Sequence, residues 1–412
     1  MRKLLFLLLL SLSQLFAHAQ IRSHLPYSII GIGELNTKGF SRNMGMGRSG
    51  IALSSGYFLN NQNPASYHSM DSVSFFFDLG ISADFVKYKT SSITQHGKDI
   101  NLRNVALGFR ITPRWSASIG ICPYSTVGYK IVTERDVEGT YDTYTAELTG
   151  EGGLNQFYWD NSYVLFKHLS LGVNFTYLFG NIESIEKLTY DGFDNNVFTK
   201  QQSYLDKIYA DFGLQYFFRI KDKTIVNLGG IFGNRHQMNF KETINIYDSD
   251  GNVLEKDITD QGTFQFPLYF GAGLSVEYDR KLTFSADYLY HDWSQTTQED
   301  NQFTYSSTNM FRVGLEYIPG PLNQYGYLGR IRYRAGYYHE DSYIEIDENR
   351  ISDNGFSLGV GIPFLQNRTS INIAYNVGVK GTIDYGLIKA NYNSLMFSLT
   401  LHDWWFIKRK FD

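Results

Sequence analysis

The sequence predicts an all-β protein: a transmembrane antiparallel β-barrel of about 14 strands over residues 72–412. Three observations carry this. Residues alternate between two chemical classes along nearly the whole chain after Ser72, and period 2 means strand. The two faces pair large aromatic and aliphatic residues with Gly, Ser and Asn, whereas a soluble barrel would turn many Lys and Glu outward. Connections also alternate between tight and long, as they do in barrels with short turns at one membrane face and loops at the other.

The elements follow in order. "MRKLLFLLLLSLSQLFAHAQ" has a basic start (Arg2, Lys3), a short apolar run and Ala17-His18-Ala19, which predicts a signal peptide over 1–19 and export. The apolar run is too short for a spanning helix with these flanks. Residues 20–71 form a second unit, irregular and rich in Gly, Ser and Asn. Within it "GMGRSG" (Gly45–Gly50) matches the G-x-G-x-x-G dinucleotide fingerprint. No buried strand precedes it and no helix follows, so the match is chance.

Strands are predicted at about 72–87, 100–112, 115–136, 141–165, 168–184, 204–219, 223–246, 253–279, 281–296, 306–319, 328–341, 351–364, 369–386 and 393–408. In "LSLGVNFTYLF", Leu169, Leu171, Val173, Phe175, Tyr177 and Phe179 face lipid while Ser170, Gly172, Asn174 and Thr176 face the lumen. The same parity places Arg110, Asp211, Arg312, Glu316, Arg332, Arg334 and Lys380 inside, as mutual ion pairs anchoring the interior or as a receptor for a ligand carboxylate. Tight turns at 112–114, 167–168, 221–223, 279–281 and 366–368 alternate with long segments such as 184–203 and 296–306. The last strand carries Trp404, Trp405 and Phe406 at its rim. An even strand count in the outer membrane of a Gram-negative bacterium predicts both termini in the periplasm.

Composition excludes much else. With 16% aromatic and 19% charged residues, net charge −4 and no basic run, nucleic-acid binding is excluded. The single Cys122 allows no internal disulfide. The histidines lack metal-ligand spacing, and "YDSDGN" (247–252) lacks the distal Glu of a calcium loop and reads as a hairpin turn. No Ser/His/Asp set assembles on one surface, so neither an enzyme nor a bound metal or cofactor is predicted.

Residues Leu25–Met70, with "NMGMGRSGIALSSG" followed by "NNQNPAS", resemble the N-terminal hatch of the FadL/TodX-type outer-membrane transporters of hydrophobic compounds. The resemblance implies a hatch folded inside a 14-strand barrel and closed by the motif Asn63, Pro64, Ala65 just before the first strand. It also implies a kinked third strand that opens the barrel wall. Here Pro123 interrupts "SIGICPYSTVGYKI", with Ser125 and Thr126 available to satisfy freed backbone groups. Trp115, Ala117, Ile119 and Ile121, then Val127, Tyr129 and Ile131, are predicted to face lipid. The implied function is passive uptake of a hydrophobic small molecule, fatty acid-like or aromatic, by hatch displacement and lateral exit. The alternative is a non-transporting barrel subunit that binds other outer-membrane proteins in an assembly or secretion complex. No energy-coupling motif is recognisable near the mature N-terminus.

Overall fold

The computed structural model describes residues 26–71, 74–137, 139, 141–190, 196–296, 303–320, 326–364 and 369–404. The chain starts with an irregular segment holding two 3-10 turns (Pro26–Ile29, Pro64–Ser69), strand β1 (Glu34–Leu35) and a single α-turn, α1 (Ser41–Met44). The barrel begins with β2 (Ser74–Lys89), β3 (Thr94–Arg110), β4 (Trp115–Pro123), β5 (Ser125–Asp136), β6 (Thr143–Phe166) and β7 (Leu169–Tyr190). It continues with β8 (Val197–Ile220), β9 (Thr224–Gly233), β10 (His236–Tyr247), β11 (Val253–Phe266), β12 (Leu268–Tyr278) and β13 (Leu282–Asp292). It ends with β14 (Phe303–Tyr305), β15 (Thr308–Tyr317), β16 (Arg332–Ile346), β17 (Asn349–Phe364), β18 (Thr369–Lys380) and β19 (Lys389–Trp404).

Four pairs (β4–β5, β9–β10, β11–β12, β14–β15) are single staves broken once, so the wall is a closed antiparallel barrel of 14 strands. Closure runs from Ser74↔Trp404 to Lys89↔Lys389. In lipid it is required, because an open sheet would leave edge amides unpaired.

Parity sorts the faces. Leu171, Phe175 and Tyr177 are exposed on the outside of β7, whereas Ser170, Asn174 and Thr176 are buried inside. Phe311, Val313 and Leu315 face out on β15, against buried Arg312 and Glu316.

Expectations of two kinds, strand bounds and strand facing, are corrected. Segment 184–203 is mostly strand, since β7 runs to Tyr190 and β8 starts at Val197. Likewise β16 and β17 meet in a two-residue turn at Asp347 (φ 47°) and Glu348 (φ 62°), where the strands had been placed ten residues apart at 341 and 351. Alternation continues beyond the apolar belt in polar residues, which lowers its contrast and makes it look like loop. In the other direction, the strand predicted to 386 ends at Lys380 and gives way to a 3-10 turn at Asp384–Gly386.

The second correction is one of face. Val127 and Tyr129 are 1% and 5% exposed and point into the barrel. Pro123 pairs with Asn155 and Val127 with Gly152, leaving three residues on one strand opposite two on the other. This bulge at the β4–β5 junction flips every later side chain of β5 to the other side. Trp405 and Phe406, expected at the rim, lie outside the described residues, as do residues 1–19, expected to be a signal peptide, and the turn expected at 366–368.

Candidate functional site: a hatch held in the lumen

Residues 26–70 run down the lumen from one mouth to the other. Tyr27 OH donates to Ile388 O (2.8 Å) at the mouth formed by the β18–β19 connection. Met70 O accepts from Arg110 at the opposite mouth, where β3 ends and the short connections lie. Residues 1–25 fall outside the described residues.

Asn63 caps, and Pro64 and Ala65 open, the 3-10 turn near the lower mouth. Asn63 Oδ1 accepts from Ala65 N (2.9 Å) and caps the 3-10 turn, with Pro64 at its first position. Asn63 Nδ2 donates to Ile51 O (2.7 Å) and to Leu214 O (3.2 Å), tying hatch to hatch and hatch to wall. Ala65 O accepts from Ser162 and Ser170 of the wall (3.1 and 3.0 Å). Next in the turn, His68 Nε2 hydrogen-bonds Gln215 Oε1 (3.1 Å) and its ring stacks on Phe217. Burial pushes its imidazole down to about 4, so it is neutral at ordinary pH.

"GMGRSG" sits higher, pressed flat on the wall. A Cβ on Gly336 would strike Met46 and Gly47, and one on Gly314 would strike Met46. Gly47 itself has φ 63°. These glycines let two backbones touch, which explains the motif without a nucleotide. Asp287 accepts from Gly50 N and Ile51 N (2.5 and 2.9 Å), capping the turn from the barrel side.

Three of the seven inward charges found by parity, Asp211, Glu316 and Lys380, pair directly with hatch charges. Arg312 Nε binds Glu340 Oε1 (2.8 Å), and Glu340 also receives Arg48 of the hatch (2.6 Å). Arg48 reaches Asp353 as well (3.1 Å) and lies 3.7 Å from the Tyr338 ring centroid. Glu316 binds Arg42 (2.9 Å) and Arg334 (2.6 Å). Lys380 binds Glu34 (2.6 Å), and Asp211 pairs with Lys38 (3.7 Å). Arg110 donates to backbone carbonyls at the lower mouth, and Arg332 lies over Phe58. The hatch partners Glu34, Lys38, Arg42 and Arg48 were not singled out from the sequence. An irregular segment has no period from which to read which side chains face the wall.

Pro123 and Ser125 flank the break in the third stave. Below it β4 pairs with β3 from Arg110↔Ser116 to Val105↔Ile121. Above it β5 pairs with β6 on one side and on the other only with hatch strand β1, through Glu34↔Thr126 and Leu35↔Ser125. No register joins β3 to β5 among the described residues. Ser125 Oγ accepts from Leu154 N (3.3 Å), and Asn36 N donates to Tyr124 O (2.8 Å). From the β3 side Arg103 reaches across to Asn36 Oδ1 (2.9 Å) and Thr37 O (3.2 Å). The hatch thus stands where the β3–β5 ladder is missing.

Between the hatch and the wall lies a cavity of about 350 Å³, lined on the hatch side by Tyr27, Lys38 and Arg48 and on the wall side by Tyr88, Tyr124, Tyr269, Phe266, Arg103 and Asp84. Among the described residues no group of three His, Cys, Asp or Glu could hold a metal.

A 14-strand barrel with an N-terminal hatch and an interrupted third stave defines the FadL/TodX-type fold. The solved toluene transporter TbuX of Ralstonia pickettii overlays with a TM-score of 0.60 at 15% identity, covering 89% of this chain and 99% of its own. A Pseudomonas aeruginosa FadL homologue gives 0.59 at 13% identity, covering 90% and 99%. The P. putida toluene transporter TodX gives 0.54 at 15%, covering 90% and 100%. No curated protein sequence matches the chain significantly. The family model described as BamG matches residues 1–412, and the chain belongs to the BamG family.

Proposed function

We propose that the protein is an outer-membrane channel for passive uptake of hydrophobic small molecules. On this reading the long-connection end faces outward, ligand enters the tyrosine-lined cavity between hatch and wall, and it leaves sideways through the wall. The observation that carries it is the missing β3–β5 ladder above Val105↔Ile121, filled by hatch strand β1. Two unpaired edges cannot face lipid unshielded, so removing β1 opens a passage. The toluene transporters TbuX and TodX, which share the fold, support the ligand class.

The test is a reversible staple. In a Cys122→Ser background, Leu35→Cys with Ser125→Cys joins a register pair across the hatch and β5. Oxidation is expected to abolish uptake of radiolabelled toluene or a long-chain fatty acid, and reduction to restore it. Equal uptake in both states rejects lateral exit behind β1.

A second reading, a non-transporting subunit of an outer-membrane protein complex, is favoured by the firmness of the hatch. Buried ion pairs at Glu316, Glu340 and Asp353 hold it to one wall. Purification in mild detergent separates the two readings: a channel brings an apolar ligand in its lumen, a subunit brings stoichiometric proteins.

A further inference from the structure

Near the short-connection end, three arginines surround one carboxylate. Arg42 of the hatch donates to Glu316 through Nη2 and Nε (2.9 and 3.4 Å), and Arg334 donates through Nε (2.6 Å), so both Glu316 oxygens are engaged. Arg332, the next inward position on β16, makes no ion pair among the described residues and rests 4.5 Å from the Phe58 ring centroid. Arg42 and Arg334 lie 5.1 and 5.4 Å from the same centroid. The three arginines are 8, 7 and 3% exposed for Arg42, Arg332 and Arg334, so water does not solvate them freely. Arg334 places Nη1 on Asn372 Oδ1 (2.9 Å) and keeps a buried Nη2 with no partner. Glu277, on neighbouring β12, acts on Arg42, so Glu316 is the carboxylate that Arg332 and Arg334 share with Arg42.

Buried cations persist where they are paired, and a guanidinium fork matches the oxygens of an oxyanion. We infer that Arg332 and Arg334, beneath the Phe58 ring, form a binding site for a phosphate-type oxyanion. Arg334 Nη2 is the donor still free, and Arg332 supplies a whole fork. Tyr57, with 38% of its surface exposed, flanks the site beside Phe58, its ring centroid 5.5 Å from the Arg332 guanidinium. Inorganic phosphate and the headgroup of an anionic phospholipid share this chemistry. Because Arg42 belongs to the hatch, an anion that relieves repulsion among the three arginines also tightens the seat of the hatch. This site is separate from the cavity between hatch and wall and does not depend on which function the barrel serves.

The experiment uses the full chain in non-ionic detergent at fixed ionic strength, with thermal unfolding followed as inorganic phosphate replaces chloride. The midpoint is expected to rise with phosphate. In Arg332→Gln the concentration needed is expected to increase on the order of tenfold or more, the scale of a lost charged hydrogen bond, while Arg110→Gln keeps the full response. Should Arg332→Gln fail to assemble, Arg332→Lys keeps the charge but not the fork and is expected to respond more weakly. A second arm compares nanodiscs of phosphatidylcholine with discs containing phosphatidylglycerol, in phosphate-free buffer. A rise in the second discs only, lost in the Arg332 variant, identifies the lipid headgroup as the source. No response in either arm, or a response untouched by the Arg332 variants, overturns the site.

Discussion

Arg48 concentrates the energetics of the hatch in one residue. Its backbone has φ 63°, a region where a side chain other than glycine's costs about 1–2 kcal/mol. Its guanidinium meets Glu340 at 2.6 Å, Asp353 at 3.1 Å and Tyr392 OH at 3.1 Å. Breaking a buried pair by removing one partner costs about 3–5 kcal/mol, which exceeds the backbone relief. Arg48→Gly, though it removes the strain, is therefore expected to loosen the hatch by on the order of 2 kcal/mol. The readout is the closed-to-open ratio of single channels in planar bilayers, which is expected to fall about thirtyfold at that energy. An unchanged ratio would mean that the ion pairs are not what holds the hatch. The sequence placed Arg312, Glu316 and Lys380 inward because strand parity is a rule. Arg48, inside a motif quoted for its glycines, was passed over because nothing periodic pointed it at the wall.

Among the elements, strand number and facing were legible, while strand ends and one register were not. Lipid demands apolar contrast only within its own thickness, so β7 and β8 fade into polar alternation above it. Pro123 marks where a ladder amide is missing. It does not say whether a residue is inserted, and the extra residue beside it reversed the faces of Val127 and Tyr129. Wall glycines were legible as residues but not as a contact. Gly336 sits on β16 directly under Met46 and Gly47, and a methyl there has nowhere to go because backbone stands on both sides. Gly336→Ala is expected to unseat the hatch while leaving the barrel folded. Heat-resistant migration on gels is expected to be retained and resting conductance to rise. A variant as quiet as the parent would show that the hatch can shift along the wall without penalty.

At the scale of the molecule, barrel and hatch are separable structures joined by charge. Closure runs through β2 and β19, and β1, the only hatch strand among the described residues, is an addition to the edge of β5 rather than a stave of the wall. Deleting residues 26–70 therefore removes no barrel ladder. It does remove Lys38, Arg42 and Arg48 together with the single acid Glu34 from the hatch–wall ion pairs. Left behind are Asp211, Glu316, Glu340 and Asp353, each of which had a hatch cation within ion-pair distance. Arg312 and Arg334 still cover part of that charge, but the acids of the remaining wall lose more partners than its bases do. A water-filled pore lined by unbalanced carboxylates favours cations. The deleted protein is thus expected to conduct continuously and to give a reversal potential of cation-selective sign under a KCl gradient. Charge-restoring variants at Glu340 and Asp353, each to Gln, are expected to move that potential back toward zero. High conductance without selectivity would mean that the wall charges re-pair among themselves once the hatch has gone. An unchanged conductance would mean that residues 26–70 do not block the lumen.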